Sequence, residues 1–133
     1  MTEVEFHFNV GDKLEYSCRL LRKASAQNLR IGVVGSAAAL RQLDAALWNF
    51  SAVDFLPHST ASDAIDLQQA TGILLSEDPA VCADRQVLIN LGDEVPVGFE
   101  RFERLIEIVA VDDHGRMTAR QRWKHYTAQG YEL

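Results

Sequence analysis

Apolar and polar positions along this chain follow two periods, and the period changes at punctuating residues. Val4, Phe6 and Phe8 alternate with Glu3, Glu5, His7 and Asn9, which predicts a half-buried first strand. Gly11 ends it, and Asp12 is placed to cap a helix from Lys13 to about Gln27. In that helix Leu14, Cys18 and Leu21 recur at i, i+4, i+7 and face inward, leaving Lys13, Arg19, Arg22 and Lys23 toward water. Asn28 suits the left-handed turn that closes it. Leu29 to Val34 predicts a buried second strand. Gly35 then turns the chain, and Ser36 caps a helix to about Trp48 with Leu40, Leu43 and Leu47 as one stripe. Val53 to Leu56 predicts a third strand stopped by Pro57, because proline donates no ladder hydrogen bond. Residues 58–71 are small and polar and predict a loop with one helical turn.

Two apolar runs without alternation follow, Gly72 to Leu75 and Val87 to Leu91, as expected of strands covered on both faces. Gly98 to Arg104, with Phe99 and Phe102 at i, i+3, predicts a short helical segment before a sixth strand from Leu105 to Val111. Asp112 and Asp113 can cap a last helix from about His114 to Gln129, and Gly130 is its natural stop. Strands alternating with helices predict one α/β domain over residues 1–133: a three-layer, Rossmann-like α/β/α arrangement around a mostly parallel sheet.

Composition narrows the function classes. With 47% hydrophobic and 24% charged residues in 133, the chain has the balance of a folded domain. A net charge of −6 argues against wholesale electrostatic binding of nucleic acid, although a local basic patch is compatible with it. Cys18 and Cys82 lack CxxC spacing and suit buried thiols in a reducing cytoplasm. The acidic, alternating N-terminus does not read as a signal peptide, and no run approaches the ~18 apolar residues of a membrane helix.

Little in the chain points to catalysis. Gly32-Val33-Val34-Gly35-Ser36 sits at a strand-to-helix junction, where α/β folds bind phosphates. It matches neither GxGxxG nor the GK[ST] of a P-loop, so plain turn glycines are the first reading. A small nucleotide-binding enzyme using Gly32 to Ser36 is the alternative. His7, His58, His114 and His125 lack metal-ligand spacing, and His58 after Pro57 suits a turn with a satisfied ring. Ser36, Ser59 and Ser76 lack a nucleophile-elbow context. No catalytic residue, metal or cofactor is assigned.

The last helix stands apart. It carries Arg116, Arg120, Arg122 and Lys124 and no acid after Asp113, whereas the remaining nine Lys and Arg face all 19 Asp and Glu. Arg116, Arg120, Trp123 and Lys124 fall at i, i+4, i+7, i+8 and share a face. A solvated basic face is the plain reading. A tryptophan within it also suits an acidic peptide carrying an apolar residue, or single-stranded nucleic acid through stacking; one aromatic and the net charge favour the peptide. Trp48 and Phe55, as lone aromatics, suit a core first and a docking patch second.

Two motifs go further. Leu43-Asp44-x-Ala46-Leu47-Trp48, then Phe55-x-Pro57-His58, resembles the signature of the chi subunit of the bacterial DNA polymerase III holoenzyme. Ala119-Arg120-x-Arg122-Trp123-Lys124-x-Tyr126, followed by Gly130-Tyr131-x-Leu133, is similar to that family's C-terminal helix. The resemblance covers nearly the whole chain. It implies a non-catalytic adaptor that joins the clamp loader, through the psi subunit, to the acidic C-terminal tail of single-stranded DNA-binding protein. It also implies that Trp48, Phe55 and Pro57 belong to the psi or clamp-loader docking surface. Val109, Arg116, Arg120, Trp123 and Lys124 align with tail-binding positions. The sequence departs from the family pattern at Trp123, where tyrosine is common, between Ser59 and Gly72, which aligns with nothing in it, and at Leu133, where some relatives have a short extension.

Overall fold

A computed structural model describes residues 1–49 and 56–133. Its strands are β1 (Glu3–Val10), β2 (Ile31–Val34), β3 (His58–Thr60), β4 (Ile73–Ser76), β5 (Val87–Asn90) and β6 (Arg104–Ala110). The α-helices are α1 (Lys13–Ala26), α2 (Ala37–Asn49), α3 (Ile65–Ala70) and α4 (Asp113–Ala128), and 3-10 turns occupy Pro79–Cys82 and Phe99–Arg101. All six strands run parallel in the order β1-β6-β5-β2-β4-β3, so β1 and β3 form opposite edges. This is the expected Rossmann-like α/β arrangement, with a sheet wholly parallel among the described residues.

Side-chain alternation explains the layering. In β2, Ile31 and Val33 join a core with Cys18 and Leu21 of α1 and with Leu40, Leu43 and Leu47 of α2. Val34 turns the other way, into a second core with Leu74, Leu88, Phe99, Phe102 and Tyr126 of α4. Every residue of β2, β4 and β5 is buried, which is why these strands show no polar alternation. Gly32 faces the 3-10 turn so closely that an added Cβ would lie 2.5 Å from Cys82 Cβ. It is a packing glycine inside a strand, not a turn glycine.

Several local readings hold. Asp12 accepts from Glu15 N and caps α1, Asn28 sits at φ 58° beyond it, and Gly130 at φ 86° follows α4. Others need correction. Lys13 does not face water; it is half-buried, and its Nζ donates to Leu91 O at 2.8 Å. The helical segment expected from Gly98 to Arg104 is a single 3-10 turn, because Gly98 enters at φ 80° and Arg104 already pairs in β6. The predicted strand over residues 53–56 falls mostly outside the described residues. Leu56 and Pro57 carry no strand, and β3 begins after the proline, at His58.

The segment 58–71, expected to be a loop with one helical turn, holds that short helix and also a strand, β3. Its polar residues satisfy one another: Ser59 and Thr71 hydroxyls lie 2.7 Å apart, and Asp63 accepts from Thr60 N at 2.8 Å. The buried Arg85 guanidinium donates to Thr71 O and Gln68 O, both at 2.5 Å, which ties down the C-terminal end of α3.

Candidate protein-docking sites

The basic helix is built from its two faces. Asp112 caps α4 by accepting from Gly115 N, and a Cβ at residue 115 would meet Asp112 Oδ1 at 2.9 Å, so a larger residue there would push the capping carboxylate aside. Thr118, Ala119, Arg122 and Tyr126 face inward. Arg116, Arg120, Trp123 and Lys124 are exposed. Four of the five residues aligned with tail binding, Val109, Arg116, Arg120 and Trp123, line one open cavity of about 500 Å³ together with Phe8, Asn9 and Ala119. Lys124 lies one position further round α4, outside that lining. The Trp123 ring packs 5.0 Å from Phe6 and 5.9 Å from Phe8, which is itself 53% exposed. Phe8 and Asn9 come from β1, where the register with β6 shifts and Asn9 adopts φ 58°. The spacing on α4 identified the cationic wall; Phe8, on a strand far away in sequence, was missed. The cavity thus offers two guanidinium groups beside an apolar surface.

Arg122 does not belong to the basic face. Its side chain is buried, its Nε donates to Glu107 Oε1 at 3.1 Å, and Nη1 donates to Asp93 O at 2.8 Å. Glu107, fully buried in β6, also accepts from Tyr126 OH at 2.5 Å and from Asn90 Nδ2 at 3.0 Å. Burial pushes the Glu107 carboxyl above its ordinary 4.5, against the downward pull of Arg122 and these hydrogen bonds. The same burial, then the neighbouring Glu107 charge, raises the Tyr126 phenol. Burial, then the charge of Arg122, lowers Lys13. This network clamps α4 onto the sheet and leaves Arg116, Arg120 and Lys124 as the basic residues of the outer face.

The second site lies at the other edge. Trp48, 56% exposed at the end of α2, lines a groove of about 540 Å³ with Pro57, Leu67 and Asp44. Beneath it His58 is buried in β3. Its Nδ1 lies 2.8 Å from Leu56 O and its Nε2 lies 2.8 Å from Asp44 Oδ1. The Trp48 and His58 rings are 5.0 Å apart. The ring of His58 is satisfied as expected, although from a strand and not a turn. Asp44, Trp48, Pro57 and His58, spread along the first motif, therefore meet in space. Phe55 lies outside the described residues.

A third cavity, about 470 Å³, opens beyond the C-terminal ends of β2 and β5 and includes Gly35 and Ser36. Strand order reverses direction here, so it is the ordinary ligand position of such sheets. Its lining carries Glu77, Asp93 and Glu94, and Ser36 Oγ already accepts from Ala39 N at 3.1 Å. Three acids beside an occupied helix cap suit a phosphate poorly. No helix among the described residues is long and apolar enough to cross a membrane.

The profile of the family described as DNA polymerase III chi subunit, HolC, matches residues 1–133. The chain belongs to that family. The DNA polymerase III subunit chi of Pseudomonas aeruginosa is 34% identical over 138 aligned residues, covering 100% of this chain and 94% of the relative. That of Haemophilus influenzae is 31% identical over 122, covering 90% and 83%. Membership makes the chain a replication accessory subunit, not a catalytic one.

Proposed function

We propose that this chi-family chain bridges two partners: the acidic C-terminal tail of single-stranded DNA-binding protein in the α4 cavity, and the psi subunit or clamp loader at the Trp48 groove. The observation that carries the reading is the separation of the two sites. The cavity draws on β1 and the groove on β3, at opposite edges of a six-stranded sheet, and they share no lining residue. Five strand spacings put the edges roughly 24 Å apart, enough for two partners at once. In the cavity Arg116 and Arg120, with Lys124 at its margin, supply charge-assisted donors for a terminal carboxylate and nearby aspartates. Val109 and Trp123 supply the apolar wall for a terminal ring. Trp48, with Pro57 beside it and Phe55 near in sequence, supplies the opposite anchor.

Titration of the chain with a peptide matching the last ten residues of the host's single-stranded DNA-binding protein tests the tail site. Binding is expected to be modest and to weaken as salt rises. Arg120→Ala with Lys124→Ala is expected to reduce affinity by about tenfold or more. Full binding by that double variant, or none by the parent at low salt, would overturn the assignment.

A further inference from the structure

The two grooves differ in sign, and that difference says what the partner at Trp48 must look like. Between Arg30 and Arg85 the sequence carries seven acids and three bases, and two of those bases, Arg30 and Arg85, pair with Asp84 and bond the C-terminal turn of α3. This span supplies α2, β3, α3 and β4, the half of the sheet that ends at the Trp48 edge. In the groove itself, α2 contributes Asp44 and the turn before α3 contributes Asp63. Asp66 stands exposed in the first turn of α3. The titratable groups facing Trp48 from β3 reduce to His58, which is held by Asp44. Arg41 lies two turns before Trp48 on α2 and is not part of the lining.

Apolar contact is available beside these acids. Leu67 is 47% exposed, and α3 buries none of its residues. With Trp48 and Pro57 it lines a groove of a size that takes one or two side chains of a partner. At the opposite edge the α4 cavity presents Arg116 and Arg120.

We infer that the Trp48 groove receives a segment carrying lysine or arginine beside an apolar anchor, and that its acidic rim excludes the acidic ligand for which the α4 cavity is suited. The inference rests on the reading of Trp48 as a docking site for a holoenzyme subunit and adds the partner's chemistry. A basic segment meets attraction at Asp44 and Asp63 in the lining, reinforced by exposed Asp66 next to Leu67 on α3, and repulsion at Arg116 and Arg120; an acidic tail meets the reverse. Opposite charge at the two sites therefore keeps the two partners from exchanging places, because each exchanged partner would lose its attraction and meet like charge instead.

The test uses the full chain immobilised, with the clamp-loader assembly of the same bacterium as the probe. Affinity is expected to fall as salt rises from about 50 to about 300 mM. Asp66→Lys, at an exposed position with no capping bond, is expected to weaken binding roughly three- to tenfold at low salt, with the loss shrinking at high salt. Trp48→Ala is expected to cost about tenfold or more. If Trp48→Ala weakens binding while Asp66→Lys leaves or strengthens it, the charge inference is overturned and the docking site stands. If Trp48→Ala binds like the parent, the docking site fails and the inference with it. A thermal melt of each variant confirms that the fold is intact.

Discussion

Arg122 shows how far a residue's setting can depart from its sequence neighbourhood. It stands among exposed cations, yet it is buried against Glu107 and anchors α4. Removing either partner of this pair leaves a buried charge. Glu107→Gln keeps one acceptor oxygen where Arg122 and Tyr126 use two, and it leaves the guanidinium uncompensated, so it is expected to cost about 3 kcal/mol. Arg122→Met strands a buried carboxylate and is expected to cost about as much. Urea denaturation at neutral pH checks both; a loss under about 1 kcal/mol for either variant would show that the pair does not anchor α4. The pH dependence has a fixed sign. A carboxyl raised in the folded state contributes stability fully below about pH 4.5 and loses it as pH climbs through the raised value. The advantage of wild type over Glu107→Gln should therefore shrink as pH rises from that point. Residues such as Arg116 and Arg120 were legible because helical spacing alone puts them on one face. The role of Arg122 was not, since its partner lies in β6 and the tail helix carries arginines on both faces.

Elements whose ends are marked by strong local chemistry could be read from the chain. The last helix was bounded by Asp112 and Gly130, and the first by Asp12 and Asn28, in each case by a cap that needs no tertiary partner. β3 escaped the reading, and α3 was expected only as one helical turn, for the opposite reason. β3 is three residues of His, Ser and Thr with no apolar alternation, and it pairs because β4 offers a parallel edge. α3 has no side-chain cap and no buried face; Arg85, fourteen residues beyond Thr71, holds it. Gly32 was legible as a glycine but not in its purpose, since Cys82 approaches from the 3-10 turn after β4. Gly32→Ala forces a Cβ against Cys82 Cβ, an atom fixed to the backbone, and is expected to cost about 1–3 kcal/mol. An unchanged urea midpoint would show that this contact relaxes freely.

At the scale of the molecule, the parallel sheet separates the two motifs by which the chain resembles its family. The first motif gathers Asp44, Trp48, Pro57 and His58 at the β3 edge, and the second builds α4 against β1. The sequence showed both motifs but not their distance, because strand order is set by crossovers and not by position along the chain. Opposite edges and opposite charge are what an adaptor needs, and they make simultaneous occupancy the central claim. One measurement addresses it directly. Immobilise the host's single-stranded DNA-binding protein and pass the clamp-loader assembly over it with and without this chain. The account predicts clamp-loader capture only when the chain is present, lost with Trp48→Ala and lost with Arg120→Ala plus Lys124→Ala. Contradiction would come from clamp loader displacing the chain from the surface, since two partners that compete cannot be bridged.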